Sequence, residues 1–142
     1  MTTIAYRDGV LAADSQVTCG SWRDGTMTKI CKRGDVFAAG CGNAGAVRSF
    51  LDWFRSGMIG APPQMPTDGD DETSCYIFRG RRLLAWEGNR WMTSQADYYA
   101  FGTGGRFARG AMEMGATPET AVGVACKIDI YSGGAIEVLR SG

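Results

Sequence analysis

Residues 2–18 read TTIAYRDGVLAADSQVT, and the fold is decided by how this stretch bends. TIAY (residues 3–6) has strand character. Asp8-Gly9 is a strong hairpin signal, because the favoured two-residue turn needs positive φ at both central positions. VLAADSQVT (10–18) then continues extended. A polar stretch, CGSWRDG (19–25), leads to TMTKICK (26–32). Arg33-Gly34-Asp35 turns the chain and VFAAG (36–40) returns, so two successive hairpins predict one antiparallel sheet.

Beyond this region the period changes. After the glycine-rich GCGNAGA (40–46), VRSFLDWF (47–54) sets Val47, Phe50, Leu51 and Phe54 on one helical face. Asn43 is placed to cap that helix and Gly57 to stop it. Residues 58–73 hold three prolines and four acidic residues and read as a loop. SCYIF, RLLAWE and WMTSQADYYAFG restore strand character, separated by turns at Arg79-Gly80 and Gly88-Asn89. GTGG (102–105) precedes a short helix, RFARGAMEM, closed by Gly115. Thr117-Pro118-Glu119 is a helix start: a capping hydroxyl, proline in the first turn and an acid beside it. That helix runs through TAVGVACKI, and after Ser132-Gly133-Gly134 a last strand, AIEVL, follows. Strands and helices come in blocks, which predicts an α+β fold with largely antiparallel sheets.

Composition narrows the function. The 142 residues read as one domain spanning 1–142, with 15 basic and 15 acidic residues in balance. No basic excess points to nucleic acid, and no apolar run approaches the ~20 residues that span a bilayer. Five cysteines, Cys19, Cys31, Cys41, Cys75 and Cys126, form no C-x-x-C pair, so reduced thiols and a cytoplasmic setting are expected. Histidine is absent, which excludes every His-dependent triad. Any hydrolytic chemistry needs another base.

Thr2 supplies one. Methionine aminopeptidase removes Met1 when the next residue is small, and the exposed Thr2 then carries a hydroxyl beside a free α-amine. With a pKa of about 7.7–8.0, part of that amine is neutral near pH 7 and can take the hydroxyl proton. A nearby cation would lower its pKa further. Asp14 and Lys29 lie in strand-like segments close in sequence to Thr2. The plainer alternative is a solvated ion pair worth less than ~1 kcal/mol.

The chain resembles the proteasome β-subunit family, including the related bacterial two-ring proteases. The likeness is carried by TTIAYRDGVLAADSQVT, TKI, AAGCGNAGA, the helix VRSFLDWF, AFGTGGRFARGAM and KIDIYSGGAIEVL, in that order. It implies a four-layer αββα sandwich of two mainly antiparallel sheets. Residues 58–73 stand where relatives carry a second helix, so one helix layer is reduced. The resemblance assigns Thr2 as N-terminal nucleophile, Lys29 as the catalytic lysine and Asp14 as its acidic partner. Gly42 matches the glycine whose N–H donates to the oxyanion, with Gly40 the alternative. Thr103 stands where the family has a serine that bonds the N-terminus, and Asp129 and Ser132 match the pair that orients it. Val17, Met27, Cys31, Gly40 and Ala44 fall where the family lines its uncharged specificity pocket; core packing is the other reading of these five.

The expected activity is that of a threonine-type endopeptidase needing no cofactor or metal. A polypeptide substrate, a ring-shaped homo-oligomer and an unfolding ATPase partner are what the resemblance implies. The rival readings are a catalytically silent ring-forming homologue and a small-molecule amidase. Trp22, Trp86, Trp91, Tyr98 and Tyr99 are candidates for subunit contacts, with core packing the alternative.

Overall fold

The computed structural model describes residues 2–19, 22–66 and 72–141. The opening hairpin forms as read. Strands β1 (Ile4–Arg7) and β2 (Val10–Ala13) pair antiparallel around Asp8 and Gly9, both at positive φ. The extended stretch then breaks at Asp14-Ser15. β3 (Gln16–Cys19) leaves the sheet of β1 and β2 and pairs with β4 (Trp22–Thr26) in a two-stranded ribbon. CGSWRDG is therefore partly strand, not only a connection. The strand expected across residues 26–32 begins only at Ile30: β5 (Ile30–Arg33) pairs with β6 (Val36–Cys41).

The single sheet expected for the first 40 residues is accordingly divided among three. One sheet has the order β10-β1-β2-β11, with β10 at Tyr98–Phe101 and β11 at Glu137–Arg140. The other large sheet runs β5-β6-β7-β8-β9, with β7 at Ser74–Arg79, β8 at Arg82–Glu87 and β9 at Arg90–Gln95. WMTSQADYYAFG splits in the same way, β9 and β10 joining different sheets across Ala96-Asp97. Pairing is antiparallel throughout.

The period-2 alternation of these strands explains the layers. Ile4, Tyr6, Leu11 and Ala13 meet Ile30, Phe37, Ala39, Phe78 and Leu83 between the two large sheets. Tyr6 stacks on Phe78 with ring centroids 4.6 Å apart. The alternate residues Ala5, Ala12 and Ala100 face outward against helices α2 (Gly105–Glu113) and α3 (Pro118–Ile128). Small side chains there let α2 and α3 lie close on the sheet. On the opposite outer face, α1 (Ala44–Arg55) buries Val47, Phe50, Leu51 and Phe54 against Cys31, Ala38, Ile77 and Trp86. Among the described residues one helix covers one face and two cover the other, giving the αββα sandwich with a reduced layer.

The helix signals hold. Asn43 caps α1, its side chain accepting the Ala46 N–H at 3.0 Å, and Thr117 caps α3 with Pro118 in the first turn. α1 ends at Arg55, two residues before Gly57. Residues 58–66 form no helix or strand, and Trp86 Nε1 ties this loop to the sheet through the Pro63 carbonyl. Of the aromatics offered as contact residues, Trp86 and Tyr99 are core residues, whereas Trp22 and Trp91 are exposed. No described helix is long and apolar enough to cross a membrane.

Candidate active site

The sandwich brings five separate segments to the start of β1. Thr2 and Thr3 lead into that strand, flanked by the Asp14 bend after β2 and by the 102–104 turn after β10. The Asp14 N–H donates to the Thr3 carbonyl at 3.2 Å and the Gly104 N–H to the Thr2 carbonyl at 3.3 Å. Thr2 and Thr3 are both buried.

One half of the site is built on charge. Asp14 Oδ1 accepts from Lys29 Nζ at 2.9 Å and from the Thr3 N–H at 2.9 Å, while Oδ2 accepts from the Gly133 N–H at 3.0 Å. Asp14 is fully buried and Lys29 is 3% exposed. The solvated-pair alternative is therefore wrong for these two residues. Burying an ion pair costs desolvation on both partners, and extra hydrogen bonds to the carboxylate offset part of it. Asp14 sits between strands rather than within one, and Lys29 directly precedes β5. Both placements free the side chains from the alternation that would have sent them to opposite faces.

The other half is built on hydroxyls. Asp129, at the C-terminal cap of α3, accepts at Oδ2 from Thr103 Oγ1 (2.7 Å) and Ser132 Oγ (2.6 Å), and at Oδ1 from the Tyr131 N–H (3.2 Å). Burial pushes its carboxyl up, but the bonds from Ser132, Thr103 and the Tyr131 amide outweigh this and hold it below the usual carboxylate range. Proton counting fixes the directions. Ser132 spends its one proton on Asp129, so in the 2.7 Å contact with Thr3 Oγ1 it accepts and Thr3 donates. Thr103 also lies 3.4 Å from the Thr2 carbonyl, but its proton goes to the nearer carboxylate. Its lone pair then accepts from Thr2 N at 3.3 Å.

Glycine is required where this turn meets the N-terminal segment. Gly102 has φ +92°, and a Cβ there would overlap the Thr2 carbonyl. Gly42 has φ +118°, and a Cβ there would come within 2.6 Å of the Thr73 Cα.

A cavity of about 130 Å³ opens beside Thr2. Its walls include Thr2, Lys29, Gly40, Gly42, Val17, Met27 and Ala44. Cys31 departs from the sequence reading: alternation in β5 turns Ile30 to the inter-sheet core and Cys31 into the apolar cluster under α1. Burial there pushes its thiol up to about 11. The Gly40 N–H donates to the Lys29 carbonyl at 3.2 Å and is already engaged, whereas Gly42 is exposed at the end of β6. Sequence reasoning missed Gln16, Thr18, Cys41, Asn43 and Val47 on the cavity wall, and Thr3 and Gly133 around the acids. All lie one to three residues from a residue that was named; Asn43 and Val47 were placed only at the helix cap and in the helix core. Burial pushes the Cys41 thiol above its ordinary value, so this wall residue is a neutral thiol at pH 7 and a weak nucleophile.

Known structures match this architecture over nearly its whole length. BPH from Thiobacillus denitrificans, also determined in complex with epoxomicin, superposes with a TM-score of 0.69 at 20% identity, covering 99% of this chain and 98% of that one. The eukaryotic HslV from Trypanosoma brucei gives 0.67 at 21% identity, covering 98% of each chain. The chain folds like HslV. An Anbu (Gly-1) mutant from Hyphomicrobium sp. strain MC1 gives 0.70 at 12% identity, over 99% of this chain and 81% of that one. No protein-family model and no curated protein matches the sequence. At these identities the likeness to HslV, BPH and Anbu establishes the fold, which is the one implied by the resemblance to proteasome β-subunits.

Proposed function

We propose that the 142-residue chain acts as one domain, an N-terminal threonine endopeptidase that cleaves polypeptides within a ring of identical subunits in the cytoplasm. Met1 lies outside the described residues, and the reading requires its removal. One observation carries the proposal: the buried Lys29, paired with Asp14, lines the same cavity as Thr2.

In this reading the Thr2 hydroxyl attacks the scissile carbonyl and its proton passes to the Thr2 α-amine. Lys29 favours the deprotonated forms of both groups by its charge, and Asp14 holds Lys29 in place. Thr103 takes one N–H of the amine and leaves the nitrogen lone pair to act as base. Gly42 is the oxyanion donor, since the Gly40 amide is already bonded to the Lys29 carbonyl. The ammonium gives its proton to the departing amine as the C–N bond breaks, leaving an ester on Thr2 Oγ. Water attacks that ester, its proton returns through the amine to Oγ, and the acid product leaves. Val17, Met27 and Ala44 give the cavity an uncharged wall, which favours a hydrophobic side chain by about 1–3 kcal/mol. BPH binds epoxomicin, and the same ligand is the probe for this chain. An unfolding ATPase that feeds the ring belongs to the same proposal.

The test uses untagged protein. Intact mass should show Met1 absent and one epoxomicin adduct, and a peptide bearing a hydrophobic residue before the cleaved bond should be hydrolysed. Thr2→Ala should lose both adduct and hydrolysis. Retained Met1, or an adduct that survives Thr2→Ala, would overturn the reading in favour of a silent homologue or a different nucleophile.

A further inference from the structure

The β6–β7 ladder stops one residue short of Gly42. Its last pair is Cys41 with Ser74. Continued pairing would set Gly42 opposite Thr73. Instead Gly42 turns at φ +118°, and the next amide, that of Asn43, donates to Thr73 Oγ1 at 3.0 Å. A side-chain hydroxyl thus takes the place of a backbone acceptor where the ladder ends. Thr73 is 5% exposed, and nothing in the chemistry above uses it.

The turn is pinned from two directions. On the helix side, the Asn43 carbonyl accepts the Val47 N–H at 2.9 Å and the Asn43 side chain accepts the Ala46 N–H at 3.0 Å. On the sheet side, Thr73 holds the Asn43 N–H, and the backbone of residues 72–73 lies against Gly42: a Cβ there would come within 2.5 Å of the Glu72 carbonyl oxygen. Glycine has the widest backbone freedom of any residue. The close approach that demands a glycine therefore leaves this peptide without a restraint of its own, and the Thr73 bond supplies one.

Direction follows from the strand. The Gly40 N–H points toward β5 and donates to the Lys29 carbonyl at 3.2 Å. Alternation along β6 sends the Gly42 N–H to the same side, where Lys29 leads into β5. Gly42, Lys29 and Thr2 line one cavity. The Asn43 N–H is drawn the other way, toward β7. Without the hydroxyl the Asn43 N–H must find another partner, and the Gly42 peptide rotates with it.

We infer that Thr73 is a positioning residue: by holding the Asn43 N–H, its hydroxyl aims the Gly42 N–H at the oxygen of the scissile carbonyl. This rests on the peptidase reading given above and adds the residue that sets its oxyanion donor.

Steady-state hydrolysis of the hydrophobic peptide by untagged wild type, Thr73→Val and Thr73→Ser tests it. Valine keeps the shape and removes the hydroxyl, whereas serine keeps the hydroxyl. Misplacement by about 1 Å costs up to ~10²-fold, so kcat of Thr73→Val should fall by about 10–100-fold while KM stays within about twofold. Thr73→Ser should hydrolyse nearly as fast as wild type. A peptide boronate, whose tetrahedral adduct on Thr2 carries an oxygen at the oxyanion position, should bind Thr73→Val more weakly by the factor seen in kcat. Thr73→Ala, which cannot overpack, makes the same comparison, and circular dichroism at the assay temperature shows that each variant is folded. Unchanged kcat in Thr73→Val and Thr73→Ala, a loss confined to KM, or a Thr73→Ser as slow as Thr73→Val overturns the role of Thr73 and leaves the peptidase reading standing. A wild type that hydrolyses nothing and takes no boronate overturns both.

Discussion

The two acids of the candidate site are held in opposite ways. Asp14 is fully buried and receives an ammonium and two backbone amides. Asp129 is 8% exposed and receives two hydroxyls and one amide. The first arrangement fixes a charge beside the Thr2 cavity. The second fixes a geometry, since each hydroxyl that donates to Asp129 must accept from the N-terminal segment. The contrast separates activation of the nucleophile from its placement, and substitutions should separate them too.

Breaking the charged half should have the largest effect. Lys29→Ala leaves the buried Asp14 carboxyl without its ammonium partner, and breaking a buried pair in this way costs about 3–5 kcal/mol of stability. Peptide hydrolysis should fall by about 10²–10⁴-fold, measured at a temperature where circular dichroism shows the variant folded. A drop in activity no larger than the unfolded fraction would make Lys29 purely structural.

Gly104→Ala attacks placement. A Cβ there would overlap Thr3 Oγ1 and sit 3.1 Å from the Ala125 Cβ, so the turn and the N-terminal segment must part. Overpacking of this kind costs about 1–3 kcal/mol, and kcat should fall because Thr103 moves away from Thr2. Calorimetry and hydrolysis rates together would check both.

Asp129→Asn sharpens the comparison through pH. The Asp129 carboxyl is held below the usual range, so the stability it contributes is complete above about pH 3.9 and fades as pH falls through the lower folded-state value. The unfolding free-energy gap between wild type and Asp129→Asn should be about 1–3 kcal/mol. It should stay flat through neutrality and close only in acid. Denaturant melts at several pH values measure it, and a gap that closes near pH 6 would contradict the hydrogen-bond assignment.

Thr103→Ser should matter least. It keeps the hydroxyl that links Thr2 N to Asp129 and removes only an exposed methyl, so stability should change by less than ~0.5 kcal/mol and the hydrolysis rate hardly at all.

Much of this was legible in the sequence because it is local. Asp8-Gly9, Asn43 and Thr117-Pro118 signal turns and caps through their own backbone preferences, and the α1 stripe declares its buried face. What was not legible depends on where strands part company. Nothing in VLAADSQVT marks Asp14 as the point where the chain leaves one sheet for another, yet that bend lets its carboxylate reach Lys29. Cys31 shows the same limit from the other side. Its neighbour Ile30 packs between the sheets, so one step of alternation takes Cys31 off the cavity and under α1. Thr3 escaped notice because its role depends on Ser132, 129 positions away.

The central claim is that Lys29 activates Thr2, and labelling kinetics test it most directly. Untagged wild type and Lys29→Ala, both shown by intact mass to have lost Met1, are treated with epoxomicin under identical conditions. The account predicts rapid single labelling of the wild type and little or none of the variant. Equal labelling rates for the two would contradict it.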